Sequence, residues 1–343
     1  MRKIILLASI LILNGCQFFN KNNNENEEVT DDELVWIDFV NISSFEQKFV
    51  TNRKGINLFT RANETAKIID TVPYGEILEI IYKDEDWYAV RWRIINEEEG
   101  QDGWVQAYVK KTDLGEMEDI KLIESDLYVL DDNIEVHMSE ETVRDLFQIE
   151  LIDQKTYNEA QKQRVNYLVE DTPLSVQKRD GVISLTFEDH LVTTLMDDDT
   201  DGDDFLIYTY TGHIEALQKH VVFVSSFSTE GYILFDKRNG KRKEFSGFPY
   251  LSPDKKQMVS LSPLIHELIS NIEFFEVDEN KEIRGTYTLW FKNWKPYFYM
   301  DEGLFWATDG YFYMPVNHKA VYWDYKSGDY NTESCQYIRI KKK

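Results

Sequence analysis

Cysteine is nearly missing: Cys16 and Cys335 are the only two in 343 residues. A disulfide framework is therefore excluded, and stability has to come from a packed core. Positive charge is also short, with 38 Lys and Arg against 62 Asp and Glu and a formal net charge of -24. Binding DNA or RNA needs clustered cations against phosphates, so no nucleic-acid partner is expected. The acidity favours solubility, and such a surface suits calcium or a basic partner. Long apolar runs are lacking as well. Ile4 to Leu13, with Ser9 its polar interruption, falls short of the ~20 residues that span a bilayer as a helix. Catalytic signatures are missing too: there is no Gly-x-Ser-x-Gly elbow, no His-Glu-x-x-His helix and no phosphate-binding glycine loop. His266-Glu267 has no second histidine four residues on, and Asp189-His190 has no serine or cysteine nearby. Cys335, four residues after Asn331, reads as a buried small residue. A non-enzymatic protein is expected, although a catalytic pair assembled by the fold stays open.

The N-terminus has a direction. Arg2 and Lys3 precede the apolar run, and a small residue, Gly15, closes it. That order reads as a secretory signal. Leu13-Asn14-Gly15-Cys16 resembles a bacterial lipobox. The resemblance implies a signal peptide over residues 1–15, diacylation of the Cys16 sulfur and cleavage before it. Acyl chains gain about 0.8 kcal/mol per buried methylene, so two or more anchor stably. Cys335 is then left without a partner. The plainer alternative is a cleaved signal beside an incidental cysteine. Residues 16–34 read as a solvated tether, because Asn20 to Glu33 holds one aliphatic residue, Val29, and no aromatic. Gln17, rather than aspartate, follows the cysteine. By the enteric-type sorting rule this permits an outer-membrane or cell-surface address.

Residues 49–114 show short strands separated by turns. In Glu76 to Tyr82, Ile77, Glu79 and Ile81 alternate with Leu78, Ile80 and Tyr82, which predicts a strand between two packed surfaces. Pro73-Tyr74-Gly75 predicts a turn, since proline presets φ and glycine accepts φ > 0. Gly55-Ile56-Asn57-Leu58, this turn, Trp87-Tyr88-Ala89-Val90, Gly103-Trp104-Val105 and Tyr108-Val109 stand in an order that resembles the bacterial SH3-like domain. The resemblance implies a small barrel of the kind found in cell-envelope proteins and wall hydrolases, some of which bind peptidoglycan. It departs at Phe59, where the family often has arginine, and at the acidic tip Glu97 to Glu99. Trp87, Trp104 and Val90 are expected in the core. Tyrosine buries its ring while its hydroxyl stays wet, so Tyr74, Tyr82, Tyr88 and Tyr108 are groove candidates. Asn57, Tyr88 and Tyr108 are chosen to line a shallow ligand groove.

Residues 125–343 read as a larger β-rich domain with helices near 139–163. Ser139 with Glu140 and Glu141 looks like a helix start, and Val143, Leu146, Phe147 and Ile149 like its apolar stripe. Asp153 looks like the cap of a second helix. Further on, Phe235-Asp236-Lys237-Arg238-Asn239-Gly240 is echoed by Trp323-Asp324-Tyr325-Lys326-Ser327-Gly328, each predicting a tight hairpin. With Ser252-Pro253-Asp254 as a further turn, the pattern resembles blades of envelope β-propellers. A partial propeller and a sandwich both fit.

Asp197, Asp199, Asp201 and Gly202 match the opening of an Asp-x-Asp-x-Asp-Gly calcium loop, with Asp204 as the closing ligand. Alternate oxygens around a glycine bend suit a cation that takes six to eight. An acidic hairpin tip is the rival reading. The expected whole is a mainly β, lipid-anchored envelope protein: a small barrel, two short helices and a larger β-rich domain. Its partners are a membrane through Cys16 and peptidoglycan or an envelope protein. The alternatives are a structural subunit of an envelope complex and a wall-targeted enzyme.

Overall fold

The computed structural model describes residues 33–96, 101–131, 142–200, 205–227, 230–263, 270–297, 303–324 and 326–343. Cys16, most of the tether and Ser139 lie outside them. No helix among the described residues is long and apolar enough to cross a membrane.

The first unit is a sheet curled around its own core. It contains β1 (Val35–Ile37), β2 (Glu46–Val50), β3 (Ile56–Phe59), β4 (Ile68–Val72), β5 (Ile77–Lys83), β6 (Trp87–Asn96), β7 (Gln101–Lys110) and β8 (Leu114–Gly115). The order is β4-β3-β7-β6-β5-β2-β8, with β1 added to β7. Period-two alternation builds it. Ile56, Leu58, Leu78, Ile80, Val90, Ala107 and Val109 point inward and are buried. Ile77, on the opposite face of β5, packs outward against Phe49 and Ile120. The strand thus lies between two packed surfaces.

Next come α1 (Val143–Leu146), β9 (Phe147–Ile152), α2 (Gln154–Gln161), β10 (Arg164–Val165) and β11 (Leu168–Val169). The first expected helix is a single turn. Phe147 and Ile149, read from the sequence as part of a helical stripe, instead alternate inward along a strand paired with the C-terminal segment. A long-range partner outweighs local helix propensity here. The second helix forms as expected: Asp153 accepts a hydrogen bond from Thr156 N at 2.7 Å.

The remaining strands are β12 (Val182–Thr186), β13 (Val192–Met196), β14 (Leu206–Ile214), β15 (Lys219–Ser226), β16 (Glu230–Asp236), β17 (Arg242–Phe245), β18 (Tyr250–Leu251), β19 (Gln257–Pro263), β20 (Ser270–Val277), β21 (Ile283–Trp290), β22 (Trp294–Pro296), β23 (Phe305–Ala307), β24 (Phe312–His318), β25 (Trp323–Asp324), β26 (Asp329–Tyr330) and β27 (Gln336–Lys342). Among the described residues they form a hairpin sheet β12-β13, a five-stranded sheet β11-β14-β15-β16-β17 and a four-stranded sheet β18-β19-β20-β21. A six-stranded sheet, β10-β23-β24-β27-β9 with β22, and the small hairpin β25-β26 complete the set. The larger sheets stack in series. Val222 and Ile233 face the hairpin sheet, while Val221 and Leu234 face the four-stranded sheet. Met258 and Phe275 return that contact, and Val259 and Phe274 face the six-stranded sheet. Both faces of each inner sheet are buried, so its strands read as apolar runs rather than clean alternation.

The echoed turns are the same device. Gly240 N bonds Asp236 O at 2.9 Å, and Gly328 N bonds Asp324 O at 2.8 Å. Both glycines have positive φ, +70° and +72°. The Asp236 and Asp324 carboxylates each accept from the amide two residues on, at 2.9 Å.

The first unit is joined to the stack. The segment after β8 buries Leu122 and Leu127 in the shared core, and the Gln336 amide holds both the N–H and the C=O of Leu122, at 2.6 and 3.1 Å. The Tyr74 hydroxyl accepts from Lys121 N at 2.8 Å and donates to Lys121 O at 3.1 Å. The Tyr74 ring meets His318 edge-on at 5.3 Å. A Cβ on Gly75 would stand 2.8 Å from that of Ala320. His318 is buried, and burial pushes its pKa down to about 4, against a pull upward from Asp126. A folded pKa below the unfolded value of about 6.5 means this stability is present above pH 6.5 and lost as pH falls to about 4. The expected loss is about 3 kcal/mol at full protonation. His318→Gln should flatten that part of the pH dependence of the melting temperature; an unchanged acid limb would refute the assignment.

Candidate functional site

Strands β6 and β7 pair over their full length, with Trp87 opposite Lys110, Ala89 opposite Tyr108, Arg91 opposite Gln106 and Arg93 opposite Trp104. Directly opposed residues share a face. Tyr88, Val90 and Trp92 therefore point inward with Val109, Ala107 and Val105. Trp87, Ala89, Arg91, Tyr108, Gln106 and Trp104 point outward. Phe59 is paired with Tyr108, and its ring meets Trp87 edge-on at 5.8 Å. Phe59, Trp87 and Tyr108 make an aromatic surface of half-buried rings. The Gln106 amide donates to the Tyr108 hydroxyl, and the Lys110–Glu64 ion pair borders the surface. Farther along, Arg91 pairs with Glu79 and lies 4.0 Å over Phe39, which packs 4.5 Å from Trp104. Flat apolar rings beside amide and charged groups offer both area and orientation to a ligand.

The three chosen groove residues do not all meet. Asn57 alternates with buried Ile56 and Leu58, lies on the Phe59 and Tyr108 face, and accepts from Thr71 Oγ at 3.1 Å. Tyr88 lies on the opposite face, its ring packed against the core and flanked by Lys83 and Lys111 at 5.6 and 5.3 Å. Trp87 and Trp104, expected in the core with Val90, stand outward, and only Val90 is buried. Tyr74, a groove candidate, is held in the junction. Missed by sequence reasoning were Phe59 and Trp87. The available signal was the parity of β6: a buried Val90 forces Trp87 to the other face.

Residues 54–110 match the family model described as bacterial SH3 domain. The N-terminal barrel is SH3-like. No curated protein and no solved structure matches the chain. In this SH3-like barrel the Pro73-Tyr74-Gly75 turn is spent on contact with the stacked sheets, and the β3-β6-β7 face is left outward.

Of the acidic loop, the structure describes Asp197 and Asp199: Asp197 accepts from Tyr208 N at 2.9 Å and pairs with Lys178. Asp199 is exposed, and Asp201 and Asp204 lie outside the described residues. Among the described residues no group of three or more His, Cys, Asp or Glu is placed to hold a metal.

The fold also gathers histidines that the sequence scatters. His213 and His220 are directly opposed on β14 and β15. His213 Nδ1 lies 2.9 Å from Asp171 and its Nε2 3.7 Å from Glu215; His220 Nδ1 lies 2.9 Å from the Tyr210 hydroxyl. Burial pushes His220 down to about 4 and Tyr210 up to about 12. The partners of these imidazoles are two carboxylates and a phenol. Cys335 is half-buried, and burial raises its thiol pKa.

Proposed function

We propose that the protein is a non-enzymatic, lipid-anchored component of a bacterial cell envelope, whose SH3-like barrel holds peptidoglycan or an envelope protein on the Phe59–Trp87–Tyr108 face. The observation that carries this reading is that face: aromatic, outward and borne by the domain that matches the bacterial SH3 family. Such domains are commonly wall-binding modules. The lipobox-like Leu13-Asn14-Gly15-Cys16 supplies the anchor, and the acidic body makes a nucleic-acid partner unfavourable.

The full chain should be retained on purified peptidoglycan, and Trp87→Ala or Tyr108→Ala should weaken retention about tenfold or more, as central aromatic contacts do. Leu174→Ala, at an exposed position outside the barrel, serves as the control. Equal retention of all three variants would remove the assigned face. No retention of the intact chain would remove the wall and leave an envelope protein as the ligand.

The Tyr74–His318 junction favours a second reading, a structural subunit in which the barrel is a fixed part of the stack. Limited proteolysis separates the two. A barrel released whole and folded supports the independent module; one degraded as soon as it is cut from the stack supports the structural role.

A further inference from the structure

The outward face of β6 and β7 runs on beyond the Phe59–Trp87–Tyr108 rings. Strand β1 continues the line of β3 along β7: Phe59 pairs with Tyr108, then Val35 with Gln106 and Ile37 with Trp104. Directly opposed residues share a face. Val35 and Ile37 therefore stand outward on the side of the rings, while Trp36, opposite Val105, faces the other way. Val35 is 51 % exposed. After β1 the chain turns over the same face. Asn41 N and Ile42 N bond Asp38 O at 3.1 Å, and Phe39 lies 4.5 Å from the Trp104 ring. Arg91 pins this turn, its guanidinium 4.0 Å over Phe39 and its Nη1 3.2 Å from Ile42 O. The face thus has a wall at one end and the three rings at the other. The cations that β6 and β7 place on it are already neutralised: Arg91 pairs with Glu79, Arg93 with Asp102 and Lys110 with Glu64.

We propose that β1 and the turn after it complete the ligand site: Val35 carries the aromatic surface onward, Phe39 closes its far end, and an uncharged, extended stretch of the ligand lies along β7 between Trp87 and Phe39. The inference rests on the face assigned in the preceding subsection and adds to it the segment that follows the tether. Length and charge set the class of ligand. Trp104 to Lys110 spans about 20 Å at ~3.3 Å per residue, which suits a chain rather than a compact molecule. A charged group seated here would give up its water to meet ion pairs that need no further partner. A wall beside a flat face offers a ligand two contact surfaces instead of one, the concave form of specific sites. Residues 35–42 lie outside the family-matched span 54–110, so this end of the site comes from the chain's own N-terminal segment.

The test is retention of the full chain on purified peptidoglycan. Val35→Glu and Phe39→Ala should each weaken retention about fivefold or more, and Val35→Thr, which keeps strand propensity, about twofold. Trp36→Phe, on the opposite face of the same strand, should leave retention unchanged, as should ~0.5 M salt, which screens exposed charges. Loss in Trp87→Ala with full retention of Val35→Glu and Phe39→Ala overturns the extension and leaves the barrel face standing. A loss in Trp36→Phe equal to that in Val35→Glu shows that β1 acts only by holding the sheet, and overturns the contact. A steep fall with salt overturns the uncharged class. No retention of the intact chain overturns the wall ligand, and the extension with it.

Discussion

Asp236→Ala is expected to destabilise the protein by about 3–5 kcal/mol, the cost of removing one member of a buried ion pair. Asp236 is fully buried and pairs with Lys219, whose side chain is 6 % exposed. The two stand opposite each other on β15 and β16, on the face that carries Val221 and Leu234 toward the four-stranded sheet. Arg238 closes the group, with Nε 2.9 Å from one Asp236 oxygen and Nη2 2.6 Å from the other. Burial by itself raises the Asp236 pKa, but the hydrogen bonds from Arg238 and Lys219 outweigh it and hold the carboxyl well below the usual range. Removing the carboxylate strands the Lys219 ammonium between sheets. Urea melts should show the loss, and Lys219→Met combined with Asp236→Leu should recover most of it, since an apolar pair of similar volume fits such a site. A loss below about 1 kcal/mol for Asp236→Ala would mean that water reaches Lys219. The pH dependence follows from the sign of the shift. A depressed carboxyl contributes stability above its unfolded pKa of about 3.9 and loses it as pH falls below that value. The echoed Asp324 is a useful contrast. It makes the same turn but pairs with no buried lysine, so Asp324→Ala should cost only about 1 kcal/mol, as for a lost turn or cap.

Gly247→Ala is expected to cost about 3 kcal/mol, at the upper end of overpacking. A Cβ there would meet the carbonyl oxygen of Leu261 far closer than 3.0 Å, and the obstacle is backbone, not a side chain that can turn away. The approach is clamped by Ser260, which is buried: Gly247 N donates to Ser260 Oγ at 3.2 Å, and that hydroxyl donates to Gly247 O at 3.0 Å. Gly247 leads from β17 into β18, the crossing from the five-stranded to the four-stranded sheet. The melting temperature should fall by about 6–12 °C, taking about 2–4 °C per kcal/mol for a chain of this class. Ser260→Ala, which leaves the backbone room but removes the clamp, should lose about 1 kcal/mol. Equal stability of Gly247→Ala and wild type would show that the crossing can open.

The aromatic residues show where sequence reading stops. Alternation in β5 was visible in the order of residues although both of its faces are packed, Leu78 and Ile80 on one side and Ile77 on the other. Trp87 could not be placed from its type. A large ring suits a core or a ligand face equally; its place three residues before the buried Val90, on the other face of β6, is what sets it outward. Phe147 and Ile149 satisfied both a helical and an extended spacing. The choice went to the strand because the C-terminal segment, nearly two hundred residues away, supplied hydrogen bonds and an apolar surface.

The sequence by itself determined the β-rich class, the SH3-like order of turns and strands, the Asp153 cap and the two matching Asp-to-Gly hairpins. These depend on backbone preferences within a few residues. Tertiary structure alone decided which of the hairpin aspartates is buried, that Tyr74 serves a junction, that His213 and His220 meet, and that Phe59, Trp87 and Tyr108 share an outward face. Each of those outcomes is set by strand register and by which sheet packs on which. Such contacts join residues far apart in the chain, and local composition carries no record of them.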